Sequence, residues 1–129
     1  MRNLAEFCVY TILHPDRLAQ AMRNEGATTF TECKPWVRGR QRWQMAKAEG
    51  QIFPLILADA TDCTGLVCWG TITDIEIDGQ STRYTIENVQ PIPGSRTPQE
   101  LVLSESRTTI APNFIRPYAN CLTPAFLRD

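Results

Sequence analysis

Residues 66–89 hold two alternating apolar runs separated by Asp78-Gly79, and this constrains the fold more than any other stretch. Asp-Gly between alternating strands signals a two-residue type I′ hairpin turn. With Asp78 and Gly79 as the turn residues, Ile77 faces Gln80, Ile75 faces Thr82, Thr73 faces Tyr84 and Thr71 faces Ile86. Val67, Trp69, Ile75 and Ile77 then share an apolar face with Tyr84 and Ile86. On the other face Asp74 meets Arg83, an opposite-charge cross-strand pair, and Glu87 meets Gly70. A mid-strand glycine marks a bulge or a close backbone approach. Glu87 either points into the space left by Gly70 or is an ordinary solvent-facing carboxylate.

The flanking segments supply further elements. Residues 6–13 are β-branched and aromatic enough for a strand. The apolar part of that run is short and leads into His14-Pro15-Asp16, so it does not read as a secretory signal. Pro15 and Asp16 open a helix, Leu18, Ala21 and Met22 form its apolar stripe, and Gly26 ends it. Residues 27–33 read as a short strand, and residues 40–49 as a helix ending at Gly50. Residues 53–60 are a continuous apolar run of strand length, which Pro54 places at an edge or bend. Thr97-Pro98-Gln99-Glu100 matches a capping box and starts a short helix through Leu103. Residues 110–118 are extended but broken by Pro112 and Pro117, and Thr123-Pro124 starts a final helical turn. Five or six closely spaced strands with two to four short helices imply an α+β fold on a small, strongly bent, mostly antiparallel sheet. At 129 residues the chain is expected to form a single domain spanning 1–129.

Charge narrows the function classes. The chain has 13 Lys+Arg, 14 Asp+Glu and a formal net charge of −1, which excludes a globally basic coat for nucleic acid. The distribution is polarised: residues 1–50 hold eight basic and five acidic residues, residues 51–129 five basic and nine acidic. Five cysteines at irregular spacing, with no C-x-x-C and one His, read as reduced thiols in a cytoplasmic protein rather than a metal site. No cofactor is expected, since there is no phosphate-binding glycine loop and no dinucleotide fingerprint. No serine lies in a nucleophile elbow, and no stretch reaches the ~20 apolar residues of a membrane span.

The most informative chemistry lies in residues 34–47, where Lys34, Arg38, Arg40, Arg42 and Lys47 occur with no acid, beside Trp36 and Trp43. Arginine pairs with phosphate through a planar fork and stacks on bases, and indoles stack unpaired bases. The competing reading puts the arginines on a solvated helix face with Trp43 and Met45 in the core, and for Trp43 the core is favoured. Trp69 and Tyr84 form either an aromatic pocket for a flat base or part of the core, the commoner use of such a pair. Asp59 and Asp62 follow an apolar run. Asp62 reads as a turn former, while Asp59 is either a turn former or a carboxylate placed to read a base edge. Arg107, Asn113, Arg116, Tyr118 and Asn120 either extend the basic surface or wrap the sheet.

The stretch Gly50-Gln51-Ile52-Phe53-Pro54-Leu55-Ile56-Leu57-Ala58 is followed by Gly70-Thr71-Ile72-Thr73-Asp74-Ile75 and then Thr82-Arg83-Tyr84-Thr85-Ile86-Glu87-Asn88-Val89. Together they resemble the heart of the PUA-like superfamily, particularly its ASCH and EVE branches. There a helix ends in a Gly-Asp step, a strand carries an apolar run, and a Gly-containing strand pairs with the next through a tight turn. Trp36-Val37-Arg38-Gly39-Arg40 is similar to the Trp- and Arg-containing segment before that helix. The resemblance covers residues 29–89 and departs in two places: Gly50-Gln51 stands for Gly-Asp, and the Gly-x-Lys-x-x-Glu-x-Arg signature is not present in order. It implies a small pseudo-barrel that binds RNA or DNA, in some members a modified base flipped into a pocket. One ASCH branch is an amidohydrolase of acylated nucleosides using Lys, Thr and Glu, and no residue here maps onto that set.

The expected function is therefore a non-catalytic nucleic-acid-binding module that recognises a base, modified or not, in an aromatic pocket beside a basic patch. Lys34, Arg38, Arg40 and Arg42 would contact phosphate, while Trp36 and Trp69 would stack a base. The alternatives are a small amidohydrolase acting on a nucleoside-like amide and a protein-interaction module whose arginines bind an acidic partner.

Overall fold

A computed structural model describes residues 3–23, 25–111 and 118–128. The element order is β1 (Phe7–Leu13), α1 (Pro15–Arg23), β2 (Thr28–Glu32), α2 (Val37–Ala48), β3 (Pro54–Asp59), β4 (Asp62–Asp78), β5 (Ser81–Pro91) and β6 (Tyr118–Leu122). Short 3-10 turns lie at Pro98–Glu100 and Ala125–Arg128. The strands form one six-stranded sheet in the order β2-β5-β4-β3-β1-β6. β1 and β3 are parallel, and every other neighbouring pair is antiparallel. The α+β class and strand count expected from sequence are present, and the sheet is open rather than closed on itself. Among the described residues no helix is long and apolar enough to cross a membrane.

The hairpin forms, but not in the expected register. Asp78 pairs with Ser81, Ile77 with Thr82, Glu76 with Arg83 and Ile75 with Tyr84. The turn residues are Gly79 and Gln80. A type I′ turn at Asp78-Gly79 would need φ > 0 at Asp78, and positive φ falls on Gly79 (+62°) and on neither neighbour. Glycine first and a negative φ second is the pattern of a type II′ turn. Arg83 consequently ion-pairs with Glu76 and not with Asp74.

Two bulges follow along the same pair. From Asp74 to Ile72, β4 advances two residues while β5 advances one, so Thr73 is the extra residue. From Thr71 to Trp69 the excess is on β5 instead, beside Asn88, whose φ is +55°. Asparagine tolerates the left-handed region better than most residues, and each bulge reverses which side chains face inward. Tyr84, Ile86 and Ile75 therefore pack with Ile72 and Cys68 on one face, while Trp69 goes to the other. The expected sharing of a face by Trp69 and Tyr84 fails for this reason. Gly70 lies within the second irregularity, where a Cβ would meet Val89 Cγ2 at 3.0 Å and the Glu87 carbonyl oxygen at 3.3 Å.

β4 is 17 residues long, about 55 Å if straight, whereas a chain of this size has a radius of gyration of about 14 Å. The strand must bend, and the bulges bend it. β5 and β6 are four strands apart, roughly 19 Å in a flat sheet. Yet the Trp36 ring stacks on Tyr84 of β5 at 4.6 Å and on Tyr118 of β6 at 5.2 Å. The sheet therefore curls around Trp36.

The concave face holds Trp36, Trp43 and Ala46 together with Leu18 and Ala21 of α1. The opposite face is covered by Leu4, Ile92, Leu101, Ile110 and Leu127. Pro54 is neither at an edge nor at a bend. It is the first residue of a central strand that is buried from Pro54 to Ala58, one of the positions where a sheet admits proline. Met22, expected in the core, is exposed, and α1 buries Leu18 and Ala21. Thr97 N donates to Glu100 Oε2 at 2.7 Å as a capping box requires, but the helix stops after one 3-10 turn. Pro112 and Pro117 lie outside the described residues.

Candidate functional site

α2 is set in place from its N-terminal side. Trp36 N donates to Thr82 Oγ1 at 2.8 Å, and that hydroxyl donates to the Lys34 carbonyl at 2.6 Å. The helix buries Gly39, Trp43 and Ala46 against the sheet. At 100° per residue this phase puts Arg38 and Arg42 on one flank, with Arg40 and Lys47 on the other. The contacts agree. Arg40 Nε donates to the Ile75 carbonyl at 3.2 Å, and Lys47 Nζ lies 5.3 Å from the Trp43 ring.

On the first flank Arg38 and Arg42 reach the turn 104–107, which carries Arg107. Arg42 lies with its guanidinium carbon 3.9 Å from the Phe7 ring centroid, and its Nη1 donates to Ser104 Oγ at 2.5 Å. Its side chain is only 12% exposed. Arg38 Nη1 reaches Glu105 Oε1 at 2.8 Å, and Arg42 Nη2 lies 3.6 Å from the same oxygen. Burial lowers the Arg42 pKa, opposed by Glu105 and Glu6, and the positive charges of Arg38 and Arg107 lower it further. Arg38, Arg42 and Arg107 thus act on one another beside Glu105 and Glu6, with Glu49 on the wall of the adjoining cleft. The turn itself is anchored: Ser104 N donates to the Asn120 carbonyl at 3.0 Å, and Arg107 N to the Leu103 carbonyl at 2.9 Å. Arg107 has φ +63°.

The sequence-predicted site residues are thus divided. Arg38 and Arg42 come together. Arg40 is on the opposite flank of α2, and Lys34 is exposed on the link before the helix. Trp36 is 0% exposed, and Trp69 is 3% exposed in the cluster on the other face of the sheet. Neither ring is a stacking platform for a base. Trp36 fills the hollow of the curled sheet, and the Thr73 bulge turns Trp69 away from it. Asp59 and Asp62 both make local turns: Asp59 Oδ1 accepts from Thr61 N at 2.8 Å, and Asp62 Oδ1 from Thr64 Oγ1 at 2.6 Å. The bond from Thr61 N holds the Asp59 carboxyl below its ordinary value. Glu87 pairs with Thr71 and is half-buried. Sequence reasoning missed Phe7, Ser104 and Glu105. The signal at this end of the chain was the set Arg107, Asn113, Arg116, Tyr118 and Asn120, of which Asn113 and Arg116 lie outside the described residues.

Clefts among the described residues include two of different size. One, about 90 Å³, is lined by Phe7, Arg42, Met45 and Phe53, with Glu6 and Glu49 also on its wall. The other, about 460 Å³, is lined by Arg96, Glu100, Val102, Leu122 and Phe126. Arg96 there is ion-paired with Glu100 at 3.0 Å and lies 4.8 Å from the Phe126 ring centroid. Among the described residues no group of three or more His, Cys, Asp or Glu is placed to hold a metal ion.

No family model, curated protein or solved structure matches this chain. The geometry of the site therefore carries the functional reading.

Proposed function

We propose that the chain is a nucleic-acid-binding module of PUA-like architecture that grips the phosphate backbone of RNA or DNA with Arg38, Arg42 and Arg107. The observation that carries this reading is the setting of Arg42. Its guanidinium is already oriented by the Phe7 ring and Ser104 Oγ, so little side-chain freedom remains to be lost on binding. Arg38, one helical turn away, adds a second fork on the same flank. Such contacts position a strand and carry no sequence information directly, consistent with the burial of Trp36 and Trp69, neither of which offers a base platform.

The test is binding of a labelled single-stranded oligonucleotide to the wild type and to Arg38→Glu/Arg107→Glu. Loss of binding by the double variant supports the reading, and unchanged affinity refutes it. Turnover of an acylated cytidine would point instead to the enzymatic branch of the superfamily.

A further inference from the structure

We propose that Glu105 is an internal competitor, a carboxylate that holds the place a phosphate takes on Arg38 and Arg42. This rests on the phosphate reading above and adds a regulatory element to the same site. Both guanidiniums converge on one oxygen, Glu105 Oε1, at 2.8 and 3.6 Å. That oxygen is where a non-bridging phosphate oxygen would be held by the same two forks.

The carboxylate is easily displaced, because its side chain is 65% exposed and exposed ion pairs exchange readily with water and salt. Its departure does not require the turn to move. The turn backbone is bonded to Asn120 and Leu103, and Arg42 keeps Ser104 and Phe7. While Glu105 is in place, a polyanion must displace a like charge, so weak acidic surfaces are rejected and only phosphate-bearing strands enter.

The prediction is that Glu105→Gln binds more tightly than the wild type. The gain is about fivefold at low salt, the factor that one charge–charge contact at ~4 Å in water provides. It shrinks as salt rises, because the lost repulsion is screened.

The experiment titrates labelled oligothymidylate with wild type, Glu105→Gln, Glu105→Ala and Arg38→Gln/Glu105→Gln between about 50 and 200 mM salt. Circular dichroism confirms that each variant is folded. Tighter binding by both single variants, lost in the double variant, supports the proposal. If the wild type binds but the single variants bind equally or more weakly, Glu105 is a structural partner of the arginines and the proposal is overturned, while the phosphate reading stands. If no form binds, the phosphate reading fails and this proposal falls with it.

Discussion

Replacing Trp36 by alanine separates the two roles that an indole beside arginines can have. The ring is fully buried and stacked on Tyr84 and Tyr118, which come from nearly opposite ends of the sheet. Deleting it leaves a void between the elements that Trp36 bridges by stacking. Large-to-small changes of a buried tryptophan cost about 3–5 kcal/mol, a large share of the ~5–15 kcal/mol that holds a typical domain together. The bond from residue 36 N to Thr82 Oγ1 is a backbone bond and survives the change, so the loss is one of packing.

Trp36→Phe provides the control. The indole nitrogen is buried with no hydrogen-bond partner, so phenylalanine forfeits apolar area but sheds an unsatisfied donor. It is expected to cost far less than alanine. Urea unfolding followed by far-ultraviolet circular dichroism gives both differences. A loss below about 1 kcal/mol for Trp36→Ala, together with weakened oligonucleotide binding, would refute the core assignment and restore the ring as a base platform.

Three further outcomes follow from the packing and the buried ionisable groups. Gly70→Ala places a Cβ 3.0 Å from Val89 Cγ2 and should cost about 1–3 kcal/mol in urea unfolding, and an unchanged midpoint would contradict the close approach. Burial raises the Glu32 carboxyl above its ordinary 4.5, against the lowering effects of Arg17 and His14. The folded state therefore holds that proton more tightly than the unfolded one. Wild-type stability falls as pH rises from 4.5 through the folded value, so Glu32→Gln should unfold later than wild type near pH 7 and equally in acid; a less stable variant near pH 7 would reverse the sign. Cys33 is exposed, whereas burial raises Cys8, Cys68 (to about 11) and Cys121 (to about 12). Alkylation of the native protein, mapped by mass spectrometry, should mark Cys33 and spare those three, and equal labelling of Cys68 would show that strand open.

The existence of the hairpin was readable because alternation and a glycine turn are local signals. Its register was not, because one residue in the left-handed region decides between two turn types, and Gly79 rather than Asp78-Gly79 as a pair takes it. The bulges at Thr73 and Asn88 carry no hydrophobic signature either, yet the one at Thr73 decides which face Trp69 occupies. In the basic stretch, residue type was legible and direction was not. Once α2 begins at Val37, the helical phase sends Arg40 away from Arg38 and Arg42. Glu105, far along the chain from Arg38, had no local mark linking it to the helix. Trp36 looked like a surface ring because Lys34, Arg38 and Arg40 lie within four residues of it. Only the curl of a six-stranded sheet gives it an interior to fill.

The most direct measurement is the salt dependence of oligonucleotide binding. Each phosphate held on a single strand contributes a slope of about −0.7 in log affinity against log salt, so three arginines give about −2. Arg38→Gln should bring that slope to about −1.4, and Arg38→Gln/Arg107→Gln to about −0.7. A slope near zero in the wild type, or one that the substitutions leave unchanged, would contradict phosphate binding by this cluster.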